Sequence, residues 1–193
     1  VNLKNILFYR IASEDALNII SSEFSAKNLK FNETASDAID VDFGRGKFEK
    51  ASFEYIGNDA IDLSGSMVEI NKVKFHYIGD KLISVGENSF TNINDVEADE
   101  SYAGIVSKDG SIINVSNVNM KNVKIPFASY KKKKEYDFAR MNLSKINVED
   151  FYFKWLTDKE SVLIYEKENV GLKTKNIIPI IYNKNLSIEL IKN

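Results

Sequence analysis

Residues 36–43 read SDAIDVDF, and the pattern returns as NDAIDLSG at residues 58–65. The aliphatic residue at the centre of this segment recurs at a constant step of 22 residues, as Leu17, Ile39, Ile61, Ile83 and Ile105. Self-similarity at a fixed period is the sequence signature of a repeat fold, in which each unit buries its apolar face against the next. The segment therefore predicts a solenoid built from 22-residue units.

Three further apolar series keep the same step. They are Phe31, Phe53 and Phe75; Thr34, Ile56 and Ile78; and Ala26, Phe48, Ile70, Ile93 and Val115, in which one step lengthens to 23 residues as a loop insertion would do. Within a unit the apolar and charged residues alternate, which indicates strand rather than helix. The alternation predicts that Ile39, Val41 and Phe43 point inward while Asp40 and Asp42 point outward. Short strands repeated every 22 residues predict a parallel β-helix, whose equivalent residues stack about 4.8 Å apart.

The chain is long enough for one domain, which we place over residues 1–193. The regular coils are predicted over residues 7–129, a charged loop over 130–137, and a last coil with a C-terminal cap over 138–193. Three apolar segments of the cap are predicted to be strands: VLIYE (162–166), NIIPIIY (176–182), with Pro179 at a sheet edge, and LSIELI (186–191). Since the first residue is Val1, the sequence is expected to be a processed product or a piece of a longer protein.

Composition narrows the function classes. The formal net charge is −2, which gives no basic stripe for nucleic acid. No apolar run reaches the roughly 18 residues of a membrane-spanning helix. The chain has no cysteine, so disulfides and thiolate metal sites are excluded.

The units SDAID, GNDAIDLSGS and GDKLISVGENS resemble the repeats of the right-handed parallel β-helix superfamily, which includes pectate lyases, polygalacturonases and uronan epimerases. The resemblance implies a right-handed coil. In the polygalacturonase pattern, Asp37 and Asp59 match two catalytic acids, but Asn58 replaces a third acid and Asp80 stands where a histidine is expected. This departure predicts no hydrolysis of that type. The stretch ending in SYKKKKEYDFARM is similar to β-helix segments of large bacterial cell-surface proteins, which implies an extracellular or cell-surface location.

Two sets of aspartates are the main candidates for chemistry. Asp40, Asp42 and Asp62 are predicted to project from adjacent coils of one face and to repel each other, so we name them as ligands for Ca²⁺. The other reading of this set is a solvated face. A second ladder contains Asp37 and Asp59, preceded by Asp15, at the entrance of the same strand. It either accepts backbone N–H groups in a turn or supplies acid and base carboxylates; in an enzyme, the catalytic set would be Asp37, Asp40, Asp59 and Asp62.

Other candidates carry a bland alternative. Asp42, Lys81, Glu87 and Lys108 are predicted as substrate contacts along the acidic side, with surface ion pairs as the alternative reading. Tyr55 and Tyr77, one coil apart, would form a sugar-stacking platform or merely cover the flank.

Two function classes follow. The first is a non-catalytic cell-surface module that binds a polysaccharide or a surface protein along its flank. The second is a lyase, epimerase or glycosidase acting on an anionic polysaccharide. Fold alone does not choose between them.

Overall fold

The computed structural model describes residues 1–175 and 177–182. They form strands almost throughout, and no helix among them is long and apolar enough to cross a membrane. The strands are β1 (Asn2–Ile11), β2 (Asp15–Ile20), β3 (Glu23–Thr34), β4 (Asp37–Asp42), β5 (Arg45–Ile56), β6 (Ile61–Ser64), β7 (Met67–Gly86), β8 (Phe90–Lys108), β9 (Ile112–Tyr130), β10 (Arg140–Glu149), β11 (Trp155–Thr157), β12 (Val162–Tyr165), β13 (Glu168–Asn169) and β14 (Leu172–Lys173), and the helix is α1 (Ile177–Tyr182).

Parallel pairing between successive coils builds the body of the molecule. One path of hydrogen-bonded neighbours runs β1–β3–β5–β7–β8–β9–β10–β12, and a second runs β2–β4–β6–β7. The pairing joins the residues of the central aliphatic series in order: Leu17, Ile39, Ile61, Ile83 and Ile105. The fold prediction is confirmed, since the chain is an all-β parallel solenoid of about seven coils of about 22 residues each.

Left-handed backbone conformations bend each coil at three corners. In one coil they fall at Lys50 (φ 60°), Tyr55 (φ 56°) and Gly65 (φ 58°). The corners separate three strand stretches, and the stretches that pair with them in other coils take the same names. They are the first face (residues 45–49), the second face (51–54) and the third face (59–64).

One inward residue of the sequence prediction is wrong. Phe43 was expected in the core, but it stands at a corner with φ 54° and is 65% exposed. A left-handed residue redirects the chain, so the two-residue alternation of a strand does not continue through it. The ring of Phe43 lies against Gly65, the equivalent corner of the next coil, where a Cβ would clash with it.

An aromatic column fills the core beneath the second face. The rings of Phe8, Phe31, Phe53 and Phe75 stack with centroid separations of 4.5, 5.1 and 5.0 Å and interplanar angles of at most 12°. Three of these residues are at most 3% exposed, and Phe8 in the first coil is partly buried. The predicted column of Phe31, Phe53 and Phe75 is therefore confirmed, and Phe8 extends it by one ring.

The extra residue in one apolar series lies at a corner and is then compensated. Met67 pairs with Phe90 at a step of 23, because the corner 87–89 contains one more residue than its neighbours. Later in the same coil, Lys81 pairs with Ala103 at a step of 22. A change of length at the corners therefore leaves the register of the faces intact.

The C-terminal end departs from the sequence prediction. Residues 162–165 form β12 as expected, but α1 (Ile177–Tyr182) is a helix where a strand was predicted. Pro179 is tolerated in the first turn of a helix, where the backbone N–H has no partner in any case. Three isoleucines of α1 are buried against an apolar patch on the outside of the third face, which contains Val106, Ala128 and Leu156. The segment 186–191 lies outside the described residues.

Candidate functional site

The three aspartates predicted to project from adjacent coils share the third face. Asp40 pairs with Asp62 in register, and Ser84 takes the next position, so the ladder has two acidic rungs. Burial, followed by repulsion from Asp42 and Asp62, raises the pKa of Asp40 to about 7. Burial and then repulsion from Glu87 also raise the pKa of Asp42. The face therefore holds a carboxyl group that titrates near neutral pH.

A cation of the chain itself lies beside this ladder. Lys108 Nζ is 3.7 Å from Asp62 Oδ1, and its side chain is 12% exposed. Over residues 1–175 and 177–182, no group of three or more Asp, Glu, His or Cys side chains is arranged to hold a metal ion. Calcium binding by Asp40, Asp42 and Asp62 stays a prediction.

The entrance aspartates accept hydrogen bonds from the next coil. Asp37 Oδ1 accepts the backbone N–H of Asp59 at 2.8 Å and the side-chain amide of Asn58 at 2.7 Å. Asp59 Oδ1 in turn accepts the backbone N–H of Lys81 at 3.0 Å. These bonds tie the bend of one coil to the bend of the next. They give Asp37 and Asp59 a structural role that requires no catalysis.

Lys81 is not at the surface, where both sequence-based readings placed it. The residue is 3% exposed, and its Nζ lies 2.6 Å from Asp80 Oδ2 and 3.3 and 3.4 Å from the two oxygens of Asp59. Burial raises the pKa of Asp59 to about 7, against the opposing effect of the Lys81 charge. The ring of Tyr182, the last residue of α1, lies 5.0 Å from Nζ. Lys81 follows Asp59 by 22 residues, and this spacing was the sequence signal for the pair.

The lysine run folds back over the corner that follows the third face. The buried Asp109 Oδ1 accepts the backbone N–H groups of Lys132 and Lys133, each at 2.7 Å. The ammonium of Lys133 bonds to Glu87, and the hydroxyl of Tyr136 lies 3.4 Å from the same carboxylate. Glu87, predicted to contact substrate, is therefore held by the chain's own insertion. The spacing of the sequence could not reveal these partners, because they come from residues outside the repeat.

A separate groove follows the corner between the second and third faces. Tyr55 and Tyr77 stack there with centroids 5.2 Å apart and an interplanar angle of 9°, and they are 50% and 41% exposed. Because the two rings stack on each other, they present their edges and hydroxyl groups to the groove. The groove has a volume of about 800 Å³ and is lined mainly by hydroxyl, amide and apolar groups, including Gly57, Gly79, Ser101, Asn122 and Lys124.

Comparison with known proteins adds little. No protein-family model matches the chain, and no curated protein matches it significantly. One solved structure with some similarity is that of QnrB1, described as a plasmid-mediated fluoroquinolone resistance protein. The match has 9% sequence identity and a TM-score of 0.20, and it covers 88% of this chain and 95% of that one. A likeness at this level carries no argument about function.

Proposed function

We propose that this solenoid is a non-catalytic module that binds a neutral glycan along its flank, on the cell surface or outside the cell. The observation that carries the proposal is the groove beside Tyr55 and Tyr77. Five hydroxyl-bearing side chains line it, and its only charged lining residues among those described are Glu100 and Lys124. Sugars present alternating hydroxyl and C–H surfaces. Tyrosine edges, which combine an apolar body with a polar tip, suit such a ligand.

The straight axis of the solenoid also favours an extended ligand. Equivalent side chains repeat once per coil, as in the hydrogen-bonded ladder of Asn92, Asn114 and Asn142 with bonds of 2.9 Å. A polysaccharide repeats its own hydroxyl groups along a line. A periodic chain would therefore meet similar groups at each coil, and its binding energy would accumulate over several weak contacts.

The enzyme alternative receives less support from the third face. An enzyme acting on an anionic polysaccharide needs cations that face its substrate. Lys81 and Lys108 instead lie beside carboxylates of the chain, at 2.6 Å from Asp80 and 3.7 Å from Asp62. A surface protein as the partner is the other outcome that the following experiment distinguishes.

The proposal is tested by affinity electrophoresis of the chain through gels that contain soluble β-glucan, xylan, galactomannan or polygalacturonate. We expect retardation by at least one neutral glycan, and the double substitution Tyr55→Ala/Tyr77→Ala should weaken binding by roughly tenfold or more, the effect of losing about 1.4 kcal/mol. Tyr9→Ala is the matched control, since Tyr9 is 49% exposed but does not line the groove. Equal binding by the double variant, or retardation by none of the four polymers, would refute the proposal.

A further inference from the structure

A buried lysine lies between two buried carboxylates from neighbouring coils. Asp59, Asp80 and Lys81 are 4%, 6% and 3% exposed. Lys81 Nζ is nearly equidistant from both oxygens of Asp59, at 3.3 and 3.4 Å, and is 2.6 Å from Asp80 Oδ2. The three groups are an amine, a carboxyl carbon that it can reach, and a second carboxylate in contact with the amine.

The surroundings of Asp59 fit a reaction at its carboxyl carbon. Its Oδ1 accepts the backbone N–H of Lys81 at 3.0 Å, so a donor is already placed on the oxygen that would become negative during nucleophilic attack. Burial raises its pKa to about 7, so part of the population has a neutral carboxyl group, which is the more electrophilic form.

Asp80 has the features of a proton carrier. Its Oδ2 contacts the lysine ammonium, while its Oδ1 is buried and has no hydrogen-bond partner among the described residues. A buried acceptor without a partner is costly, and taking up a proton relieves that cost. The ring of Tyr182 closes over the amine at 5.0 Å and limits the access of water.

We infer that Lys81 and Asp59 form an intramolecular isopeptide bond that joins neighbouring coils, with Asp80 as the proton carrier. The bond forms between Lys81 Nζ and Asp59 Cγ, and the bond from Cγ to one carboxyl oxygen breaks. The ammonium gives up two protons in the course of the reaction. Asp80 relays both to the departing oxygen, which leaves as water, and the amide nitrogen keeps one proton. No oxidant, metal or other co-reactant is required.

Geometry supplies the driving force that such a condensation lacks in solution. Reactants fixed by a fold behave as if at very high effective concentration, and a site that excludes water disfavours the reverse hydrolysis. The fold fixes Lys81 relative to Asp59, since both belong to the ladder of strand entrances and are joined by a backbone hydrogen bond.

Tandem mass spectrometry of a tryptic digest tests this inference on the whole chain after folding at neutral pH. Trypsin does not cleave after an acylated lysine, so we expect the peptide 51–72, which contains Asp59, to be joined to an uncleaved peptide 75–108 with the loss of one water. Recovery of 51–72 and 75–81 as separate, unmodified peptides would overturn the inference. A water lost within 75–108 alone would also overturn it, because that product would join Lys81 to Asp80.

Two variants separate the cross-link from other changes. Lys81→Arg keeps the positive charge but cannot form the amide, and Asp80→Asn removes the proton carrier. Both should retain the circular dichroism spectrum of the wild type and regain the full intact mass. Loss of water at the Asp109–Gly110 sequence, through succinimide formation, would appear in the peptide 109–121 and would persist in Lys81→Arg. A mass deficit located only there would refute the inference.

Discussion

Removal of the middle ring of the aromatic column should be among the most damaging single changes in the molecule. Phe53 is 1% exposed and stacks on Phe31 at 5.1 Å and on Phe75 at 5.0 Å. Substitution of a buried phenylalanine by alanine costs about 3–5 kcal/mol through lost burial and the cavity that remains. We expect Phe53→Ala near the upper end, because paired strands on both sides prevent the neighbouring coils from closing the cavity.

Phe8→Ala is the matched control, since it makes the same chemical change at the end of the column. Phe8 stacks only on Phe31 among the described residues and is partly buried, so its loss should cost about 1–2 kcal/mol. Urea denaturation followed by far-ultraviolet circular dichroism measures both. A loss below about 1 kcal/mol for Phe53→Ala, or equal losses for the two variants, would refute the account of the column.

Two further predictions concern the third face. Asp40 has its pKa raised to about 7 in the folded protein, so the folded state holds a proton that the unfolded state has already released. Stability is full below the ordinary aspartate pKa and falls as the pH rises through about 7, so the melting temperature should drop between about pH 5 and about pH 8, and drop less in Asp40→Asn. An equal drop in both proteins would contradict the assignment of this proton to Asp40. The calcium hypothesis expects millimolar Ca²⁺ to raise the melting temperature of the wild type but not of Asp40→Asn/Asp62→Asn, and no shift in the wild type would reject it.

The repeat made the fold readable because a solenoid converts sequence spacing directly into spatial contact. Residues 22 apart stack, so the column of phenylalanines and the ladder of Asp40 and Asp62 followed from counting. The same rule connected Asp59 with Lys81, but the pair was overlooked because the lysine was read as part of an outward face. A ladder of like charges is relieved most simply by a cation at the next rung, and Lys81 occupies that position.

The remaining differences arise where the rule of spacing stops. Phe43 left the core because a left-handed corner interrupts strand alternation. Residues 177–182 formed a helix because an apolar run of that length does not specify its period; packing against Leu156 and its neighbours decides. The partners of Glu87 and Asp109 come from an insertion whose path no repeat dictates.

The tolerance of the corners to changes in length has a consequence for how such a protein can diversify. One added residue at 87–89 is absorbed within a single coil, and the insertion after Tyr130 delays the next pairing, of Ile112 with Arg140, to a step of 28 without disturbing its alignment. The faces therefore act as a fixed frame, while the corners are places where new segments can be grafted. A lineage of such chains, or an engineer, can change what the surface displays by lengthening a corner and leave every buried column in its place.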